Sequence, residues 1–447
     1  MKLEGKININ DIGKFIITER TLPKQPNEYL EVSFPAKLTC DTEAVFDNIN
    51  FPFAISSVKS HKIKSLQILG KSDEKEVHEI VLENENQFKF LPGDTIGILP
   101  ENDEEEVEFI LKRLDLLEKA DIPCKIQLKN VSAKSVKIPV HIPKQTTCRV
   151  ILTNLINYKC VPKKSLICSL LNYCENETER LFLETLSSKE GNELYNDLIL
   201  KKSVNVFDIL KAFESLHPPL SLLIEHLPRL LPRPYSISNS FLNNPKEMKI
   251  IFSSFIDNRG ITTKYLKKIY NVNSTKIVNL YFRQPSKFRF VEEYYSKDIL
   301  MISVGCAVSP FLGFLEEKSY LMEQGLEMGR WFLYCGFRCK STAIYRSRIV
   351  NYEKNGVLEK YYECLSKEES TESEYVQDAI KKSQVEFSSL ALSNNSILFI
   401  CADGNLISKD IRACIQKCVF PDIDESDSKD IILDWIKSGK YIEEIWI

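Results

Sequence analysis

The strongest constraint on the fold is a repeating pattern in the last third of the chain, where short apolar runs alternate with stretches of helical periodicity. The apolar runs are predicted strands: Ile299–Val304, Trp331–Cys335, Lys360–Leu365 and Ser396–Cys401. Apolar strands separated by helices are typical of a doubly wound α/β domain whose parallel sheet is buried on both faces. Such sheets bind ligands beyond the carboxyl ends of their strands, where Gly305, Gly336 and Cys401 would lie.

The chain before residue 297 has a different pattern. Short β-rich runs separated by turn residues occupy about 50–100 and resume at Pro234, which predicts a small barrel. From Glu101 to His226 the apolar residues recur at helical spacing, which predicts an all-α insert in that barrel. Residues 1–44 are polar and interrupted by proline, so we expect a linker or an edge segment there.

Composition excludes several classes of function. The net charge of −3 gives no argument for a nucleic-acid partner. The 13 cysteines are irregularly spaced and the 5 histidines lie far apart, so neither a disulfide framework nor a metal site is predicted. The first residues lack the apolar core of a secretory signal, and no run reaches the ~18 apolar residues of a membrane span. We therefore expect a cytoplasmic protein with reduced cysteines.

The run Leu231–Ser238 reads as an extended strand with unusual side chains. Alternation puts Arg233 and Tyr235 on one side, together with Ile237 if the strand continues, and Ser236 on the other. An aromatic ring, a cation and a hydroxyl at this spacing can stack a flat heterocycle and hold a phosphate beside it. The alternative is an ordinary strand with a surface arginine and a half-buried tyrosine.

Three more motifs follow along the chain. Gly260–Leu266 places a glycine and two threonines at an apparent helix start, where backbone N–H groups suit a phosphate, although a plain capped helix is the alternative. Gly305–Phe314 lies between a predicted strand and a predicted helix. The C-terminal run Tyr441–Ile447 carries a tryptophan one residue from its end, which would be a packing anchor or a cover for a flat cofactor.

In this order the motifs resemble the reductase half of the diflavin oxidoreductase family, which is built on a ferredoxin–NADP reductase-like module. The resemblance extends from about Glu28 to Trp446. It is strongest in four short segments: Pro92–Asp94, His141–Lys144, Val161–Lys164 and Pro218–His226. The likeness is greatest to the branch of the family that reduces the oxidised cobalamin of methionine synthase.

The resemblance implies a domain order and an FAD site. It implies a linker or edge segment at 1–44, an FAD-binding barrel at 45–290 with its helical connecting insert at about 101–228, and an NADP(H)-binding α/β domain at 291–447. FAD would be held and stacked by side chains of the strand and helix motifs: Arg233 on the pyrophosphate, Tyr235 on the isoalloxazine, Ser236 near flavin N5, and Gly260, Thr262 and Thr263 around the pyrophosphate. Trp446 would cover the opposite flavin face and move for the nicotinamide.

The resemblance also implies a hydride-transfer set and an NADPH site. Cys401 matches the family's active-site cysteine, and Glu444 stands where an aspartate usually completes a set with Ser236. The NADPH site would be formed by residues of the α/β domain: Gly305 in the glycine-rich turn, Arg338 with Lys340 as a basic pair, Ser366, Lys367, Tyr375 and Gln377 at the 2′-phosphate, and Asp403.

Several departures from the family pattern bear on NADPH. The Gly305–Phe311 turn is two residues shorter than the family turn and has lost two glycines, which would weaken the approach to a pyrophosphate. Lys367 replaces an arginine, so the bidentate fork is lost. Glu374 puts a negative charge where the family has a cation, and Ala402 replaces a glycine. We therefore expect FAD binding to be retained and NADPH binding to be weakened.

A flavodoxin-like FMN domain precedes this module in the family, and nothing in the chain matches it. The chain would then be a fragment or isoform, work with FMN on a separate polypeptide, or have changed its function. The expected function is an NADPH-dependent FAD reductase whose partner is methionine synthase or a separate flavodoxin-like domain. The alternatives are a non-catalytic relative that acts through FAD binding or protein contacts, and a stand-alone ferredoxin–NADP reductase-like enzyme.

Overall fold

The computed structural model describes residues 7, 9–38, 46, 49–85, 87–129, 136–257, 259–272, 276–368 and 374–446. The chain divides into two compact units. The first unit comprises residues 1–51 and 99–232, and the second unit comprises residues 52–98 and 233–447. Within the described residues, we find no helix with the length and apolar character that crossing a membrane requires.

The strands lie in both units. In chain order they are β1 (Leu30–Ser33), β2 (Lys59–Lys71), β3 (Lys75–Glu83), β4 (Thr95–Ile98), β5 (Pro123–Leu128), β6 (Gln145–Thr147), β7 (Arg233–Ser236), β8 (Glu247–Phe255), β9 (Ile277–Phe282), β10 (Asp298–Val304), β11 (Trp331–Phe337), β12 (Lys360–Leu365), β13 (Ser396–Asp403) and β14 (Tyr441–Trp446).

The α-helices lie in both units. They are α1 (Glu104–Arg113), α2 (Cys148–Val150), α3 (Lys164–Leu170), α4 (Glu177–Ser187), α5 (Asn192–Tyr195), α6 (Val206–Ala212), α7 (Leu220–His226), α8 (Ile261–Val272), α9 (Ser309–Glu323), α10 (Arg346–Lys354), α11 (Val376–Lys382), α12 (Gln384–Leu392), α13 (Asn405–Val419) and α14 (Glu425–Ser438).

The helices of the first unit bury their apolar faces in one continuous core. Local signals explain where they begin. The Asp103 side chain accepts the N–H of Glu105 at the start of α1, and acidic residues fill the first turn. Asn205 and Asp208 form a reciprocal capping box at the start of α6.

The prediction of an all-α insert is wrong, because β5 and β6 lie within it. These two strands pair antiparallel, and β5 also pairs with β1, which forms an edge of this small sheet. In β5, the buried Cys124 and Ile126 alternate with more accessible neighbours. The alternating pattern of β5 is only six residues long, and its partner β1 is distant in sequence. The helical periodicity of the surrounding residues therefore dominated the prediction.

The core of the second unit contains an antiparallel sheet. Among the described residues, six strands form it in the order β7-β4-β9-β2-β3-β8. An isolated bridge between Ile237 and Ile250 joins the chain just after β7 to β8. Helix α8 packs Tyr265, Leu266 and Ile269 against the apolar face of this sheet.

The predicted parallel sheet is confirmed in the same unit. Its strand order among the described residues is β12-β11-β10-β13-β14, and every neighbouring pair is parallel. Separate apolar clusters cover its two faces, as expected for strands that are apolar throughout. Strand β14 is a feature that the sequence pattern did not predict.

The turn at Pro92–Asp94 anchors the segment 283–291, which connects β9 to β10 and which we call the connector. The Asp94 carboxylate accepts the N–H of Leu91 at 2.9 Å and pairs with the Arg289 guanidinium at 2.9 Å. The N–H of Phe290 donates to the carbonyl of Pro92 at 2.9 Å. Gly93 has a φ of +92°, and a Cβ there would lie 2.4 Å from the carbonyl oxygen of Phe288. The tight contact therefore requires glycine.

Helix α9 carries two buried glutamates that contact the segment after β7. Ser240 donates to Glu317 at 2.8 Å, while Asn243 donates to Glu316 at 2.6 Å. Arg348 pairs with Glu316 at 2.9 Å. Burial raises the pKa of Glu317 to about 7, and the nearby Glu316 charge adds to this, whereas the bond from Ser240 opposes it.

Substituting Gly93 by alanine should destabilise the protein by about 2–3 kcal/mol, because it adds a backbone clash to a strained positive φ. Gly325→Ala is the matched control, since its φ is +86° but no atom lies within 4 Å of the new Cβ. Its cost should be about 1 kcal/mol. Urea unfolding of both variants measures the difference, and equal losses would contradict the close approach at Gly93.

The variant Glu317→Gln should become more stable relative to the parent as pH rises from 4.5 to 8. The pKa of Glu317 is higher in the folded state (about 7) than its ordinary value of 4.5, so folding stability falls as pH rises through this window. The glutamine variant should gain about 3 kcal/mol over the parent at pH 8. Urea titrations at several pH values test this, with the exposed Glu327→Gln as control. A difference that does not change with pH would contradict it.

Candidate functional site

The Arg233–Ser236 motif forms β7, which pairs with β4 in antiparallel register. Arg233 is exposed, Tyr235 is partly buried, and Ser236 is buried. The Tyr235 ring meets the ring of Phe252 edge-on at 6.0 Å. Ile237 is fully buried in the core of the antiparallel sheet, so it does not extend the accessible side formed by Arg233 and Tyr235.

The Gly260 motif lies at the start of α8. The Thr263 hydroxyl donates to the carbonyl of Gly260 at 3.3 Å, and a Cβ at position 260 would lie 2.5 Å from the Thr263 oxygen. Thr262 is buried, with 5% of its surface exposed. The hydroxyl of Thr263 therefore closes the first turn of the helix.

The carboxyl ends of the parallel strands bring the other predicted residues together. Gly305 follows β10 with a φ of +63°. Cys401 on β13 is the register partner of Glu444 on β14, and Asp403 is the partner of Trp446. Only the backbone of Asp403 is described. The N–H of Gly404 donates to the carbonyl of Trp446 at 2.8 Å, which extends the pairing by one more residue.

Cys401 and Glu444 share a buried environment. Cys401 is fully buried, and burial raises the pKa of its thiol well above the ordinary value, with the Glu444 charge as the next cause. Burial also raises the pKa of Glu444, while the charge of Arg283 and a hydrogen bond from Ser286 lower it. Exclusion of water is therefore the main cause of both shifts.

Cys306, next to Gly305, contributes to the pKa of one residue in each of the two sheets. Burial raises the pKa of Tyr235, Arg233 lowers it and Cys306 raises it. Cys306 also contributes to the raised pKa of Cys401. Cys306 therefore affects the pKa of one residue in each sheet.

The residues predicted for the 2′-phosphate meet at the edge of the parallel sheet. The N–H of Lys367 donates to the carbonyl of Arg338 at 2.7 Å, and the N–H of Ser366 donates to the carbonyl of Phe337 at 2.9 Å. The Arg338 guanidinium pairs with Glu74 at 2.9 Å, with 41% of its side chain exposed. The backbone N–H of Lys340 donates to the Glu368 carboxylate.

The second half of this set lies at the start of α11. Tyr375 is exposed and directly precedes the helix, and Gln377 is partly buried within it. The Glu374 carboxylate pairs with Lys382 at 2.9 Å. The negative charge of Glu374, at a position where the family has a cation, is therefore offset by Lys382 at the end of α11.

The sequence analysis missed a row of polar residues across the sheet. Glu363, Cys335, Ser303, Cys401 and Glu444 are successive register partners from β12 to β14. The Ser303 hydroxyl donates to the Cys335 sulfur at 3.1 Å. A signal was present, because each of these residues interrupts an apolar strand close to its carboxyl end. Their alignment, however, depends on the register between the strands.

Comparisons with known proteins show what the chain is similar to. The FAD binding domain family matches residues 51–256. The methionine synthase reductase of Bos taurus is 26% identical over 461 residues, covering 95% of this chain and 66% of that protein. The methionine synthase reductase of Caenorhabditis elegans is 31% identical over 386 residues, covering 80% of this chain and 55% of that protein.

Another group of relatives matches as well. The NADPH–cytochrome P450 reductase of Cavia porcellus is 26% identical over 416 residues, covering 90% of this chain and 60% of that protein. The chain thus spans from about half to two thirds of the length of these relatives. The resemblance inferred from the motifs is confirmed. Residues 51–256 thus match the FAD binding domain family, and the chain is similar to the methionine synthase reductases and to the NADPH–cytochrome P450 reductases.

Proposed function

We propose that the chain is the FAD-containing reductase module of an NADPH-dependent electron-transfer system. Electrons would pass from NADPH to FAD, then singly to FMN on another domain, and finally to the cobalamin of methionine synthase. The observation that carries the proposal is the match of residues 51–256 to the FAD binding domain family, a range that includes Arg233, Tyr235 and Ser236 of β7.

The residues present fit two dinucleotides. Exposed Arg233 beside partly buried Tyr235 suits a diphosphate next to a flat ring. At Gly305 no atom lies within 4 Å of the place a Cβ would take, which leaves room for a close backbone approach. Ser309, the first residue of α9, is fully buried, and its hydroxyl has no hydrogen-bond partner among the described residues. Such a donor at the start of a long helix suits a phosphate.

Each residue would then have a role in binding or in hydride transfer. Arg233 would hold the FAD pyrophosphate with Gly260, Thr262 and Thr263, while Tyr235 would stack on the flavin and Ser236 would lie near its N5. Trp446 would cover the opposite face of the flavin. Arg338, Ser366, Lys367, Tyr375, Gln377 and Asp403 would bind NADPH.

The chemistry comes from the bound groups, since NADPH gives a hydride and FAD takes it up together with one proton. The chain's own residues orient the rings and stabilise charge. A carboxylate at Glu444, held beside Cys401, would stabilise the positive charge that develops on a nicotinamide ring as the hydride leaves. Trp446 would exclude water from the flavin until the nicotinamide takes its place.

The same proposal covers domain limits, partner and location. The bridge between Ile237 and Ile250 supports a closed barrel, with the helical region at about 101–228 as its connecting insert. Residues 1–44 would be the linker or edge segment, 45–290 the FAD-binding domain and 291–447 the NADP(H)-binding domain. The partner would be methionine synthase or a flavodoxin-like domain carrying FMN, in the cytoplasm.

The test is the absorption spectrum of the purified protein. We expect a flavin spectrum that NADPH bleaches under anaerobic conditions, with NADH as comparison. A colourless protein that takes up no added FAD would rule out an FAD enzyme and favour a non-catalytic relative. Reduced flavin that delivers no electrons to a supplied FMN domain would argue against the electron-transfer role.

The variant Tyr235→Ala should bind FAD about fivefold more weakly, because it loses a stacking contact of about 1 kcal/mol. Tyr270→Ala is the matched control, since Tyr270 is also a partly buried aromatic packed against the core of the antiparallel sheet. Fluorescence titration of the FAD-free proteins measures both affinities. Equal losses in the two variants would assign the effect to folding.

A further inference from the structure

The guanidinium of Arg338, which the proposed function assigns to NADPH, is paired with a carboxylate. Its Nη1 donates to Oε2 of Glu74 at 2.9 Å. The hydrogen bond and the charge of Arg338 lower the pKa of the Glu74 carboxyl, and the charge of Lys367 adds to this. Both side chains of the pair are exposed, so a dissolved anion can reach them. Two cations of the predicted NADPH site therefore attract the same carboxylate.

Glu74 is held in place by its backbone. It lies in the turn between β2 and β3, where the N–H of Ser72 donates to the carbonyl of Lys75 at 2.8 Å. The carbonyl of Glu74 accepts the N–H of Ile256 at 3.0 Å, which attaches the turn to the residue that follows β8. The antiparallel sheet therefore fixes the position of this turn.

The loop after β11, which begins at Arg338, packs directly against the hairpin formed by β2 and β3. A Cβ at Gly70, near the end of β2, would lie 2.8 Å from the carbonyl oxygen of Ser341 and 3.2 Å from the Cα of Thr342. The backbones of the hairpin and the loop are thus in contact. Glu74 therefore lies opposite Arg338 because two packed backbones put it there, and the pair does not depend on the reach of two long side chains alone.

The same loop has a second donor that a carboxylate occupies. Besides the guanidinium of Arg338, the backbone N–H of Lys340 donates to the carboxylate of Glu368 at 2.9 Å. Carboxylates and phosphates both suit the planar donor fork of an arginine, so Glu74 already occupies Arg338 as a phosphate would. A phosphate that binds there must displace the carboxylate or bear the repulsion of its charge.

We propose that Glu74 is a specificity-determining residue that competes with the 2′-phosphate of NADPH for the guanidinium of Arg338. This inference rests on the proposed function and names a residue that limits its preference for NADPH. A nucleotide without the 2′-phosphate brings no group that needs Arg338, so the competition affects only the phosphorylated nucleotide. Because the ion pair is exposed, its effect on affinity is modest, about fivefold.

The first experiment measures nucleotide affinity by titration calorimetry of the purified protein in the presence of FAD. Glu74→Gln should bind adenosine 2′,5′-bisphosphate about fivefold more tightly than the parent, because the guanidinium no longer has to exchange partners. The affinity for 5′-AMP, which lacks only the 2′-phosphate, should not change. Glu83→Gln is the matched control, since Glu83 pairs with Lys62 at 3.5 Å at the other end of β3, and it should leave both affinities unchanged. An unchanged or weaker affinity of Glu74→Gln for the bisphosphate would overturn the competition.

A double-mutant cycle tests whether Glu74 acts through Arg338. In the background Arg338→Gln, the change Glu74→Gln should improve the affinity for the bisphosphate by less than about twofold, because the contested guanidinium is gone. A gain of about fivefold in that background, or an equal gain for 5′-AMP, would contradict the proposal. Either result would show a general effect of negative charge instead of competition for one arginine.

Failure of the proposed function gives a different result. If NADPH does not reduce the flavin but the bisphosphate binds and responds to Glu74→Gln, the reductase role fails and the competition holds. If NADPH reduces the flavin and the affinity does not respond, the competition alone fails. If no variant binds the bisphosphate, Arg338 has no 2′-phosphate to share and the competition is overturned, while reduction by NADPH or NADH still decides the reductase role.

Discussion

The candidate site depends on the lateral register of the parallel sheet. Backbone hydrogen bonds between β13 and β14 put Cys401 level with Glu444, and those between β10 and β13 put Ser303 level with Cys401. Moving one strand by a single residue would turn its whole set of side chains to the opposite face. The apolar clusters on both faces resist such a shift, so the packing of the sheet keeps the thiol and the acid together.

Burial then gives these residues their chemistry. Cys401 and Glu444 both have raised pKa values chiefly because water is excluded, which keeps a thiol protonated and makes the charge of a carboxylate depend on its partners. The same cause acts on Glu317 within α9, where burial raises the pKa to about 7. The second unit therefore combines an apolar interior with acids whose pKa values are raised chiefly by burial.

Residue types predicted the local geometry of β7 better than periodicity predicted the fold of the first unit. Tyr235 and Ser236 were assigned to opposite sides of a strand, and β7 has this alternation because backbone geometry alone sets it. Strands β5 and β6 were missed because each is short and pairs with a segment far away or just as short. Glu374 was expected to put a negative charge where the family has a cation, but Lys382 pairs with it, and only the fold of α11 brings these two residues together.

By itself, the sequence determined the alternating strands of the parallel sheet, the β7 motif and the likeness to a flavin reductase family, because these depend on residue type and short spacing. Tertiary structure decided which residues stand level with Glu444. Cys401, Ser303, Cys335 and Glu363 lie on other strands, and only the pairing of those strands aligns them. The physical reason is that backbone hydrogen bonds between strands set this register, and no local run of residues specifies it.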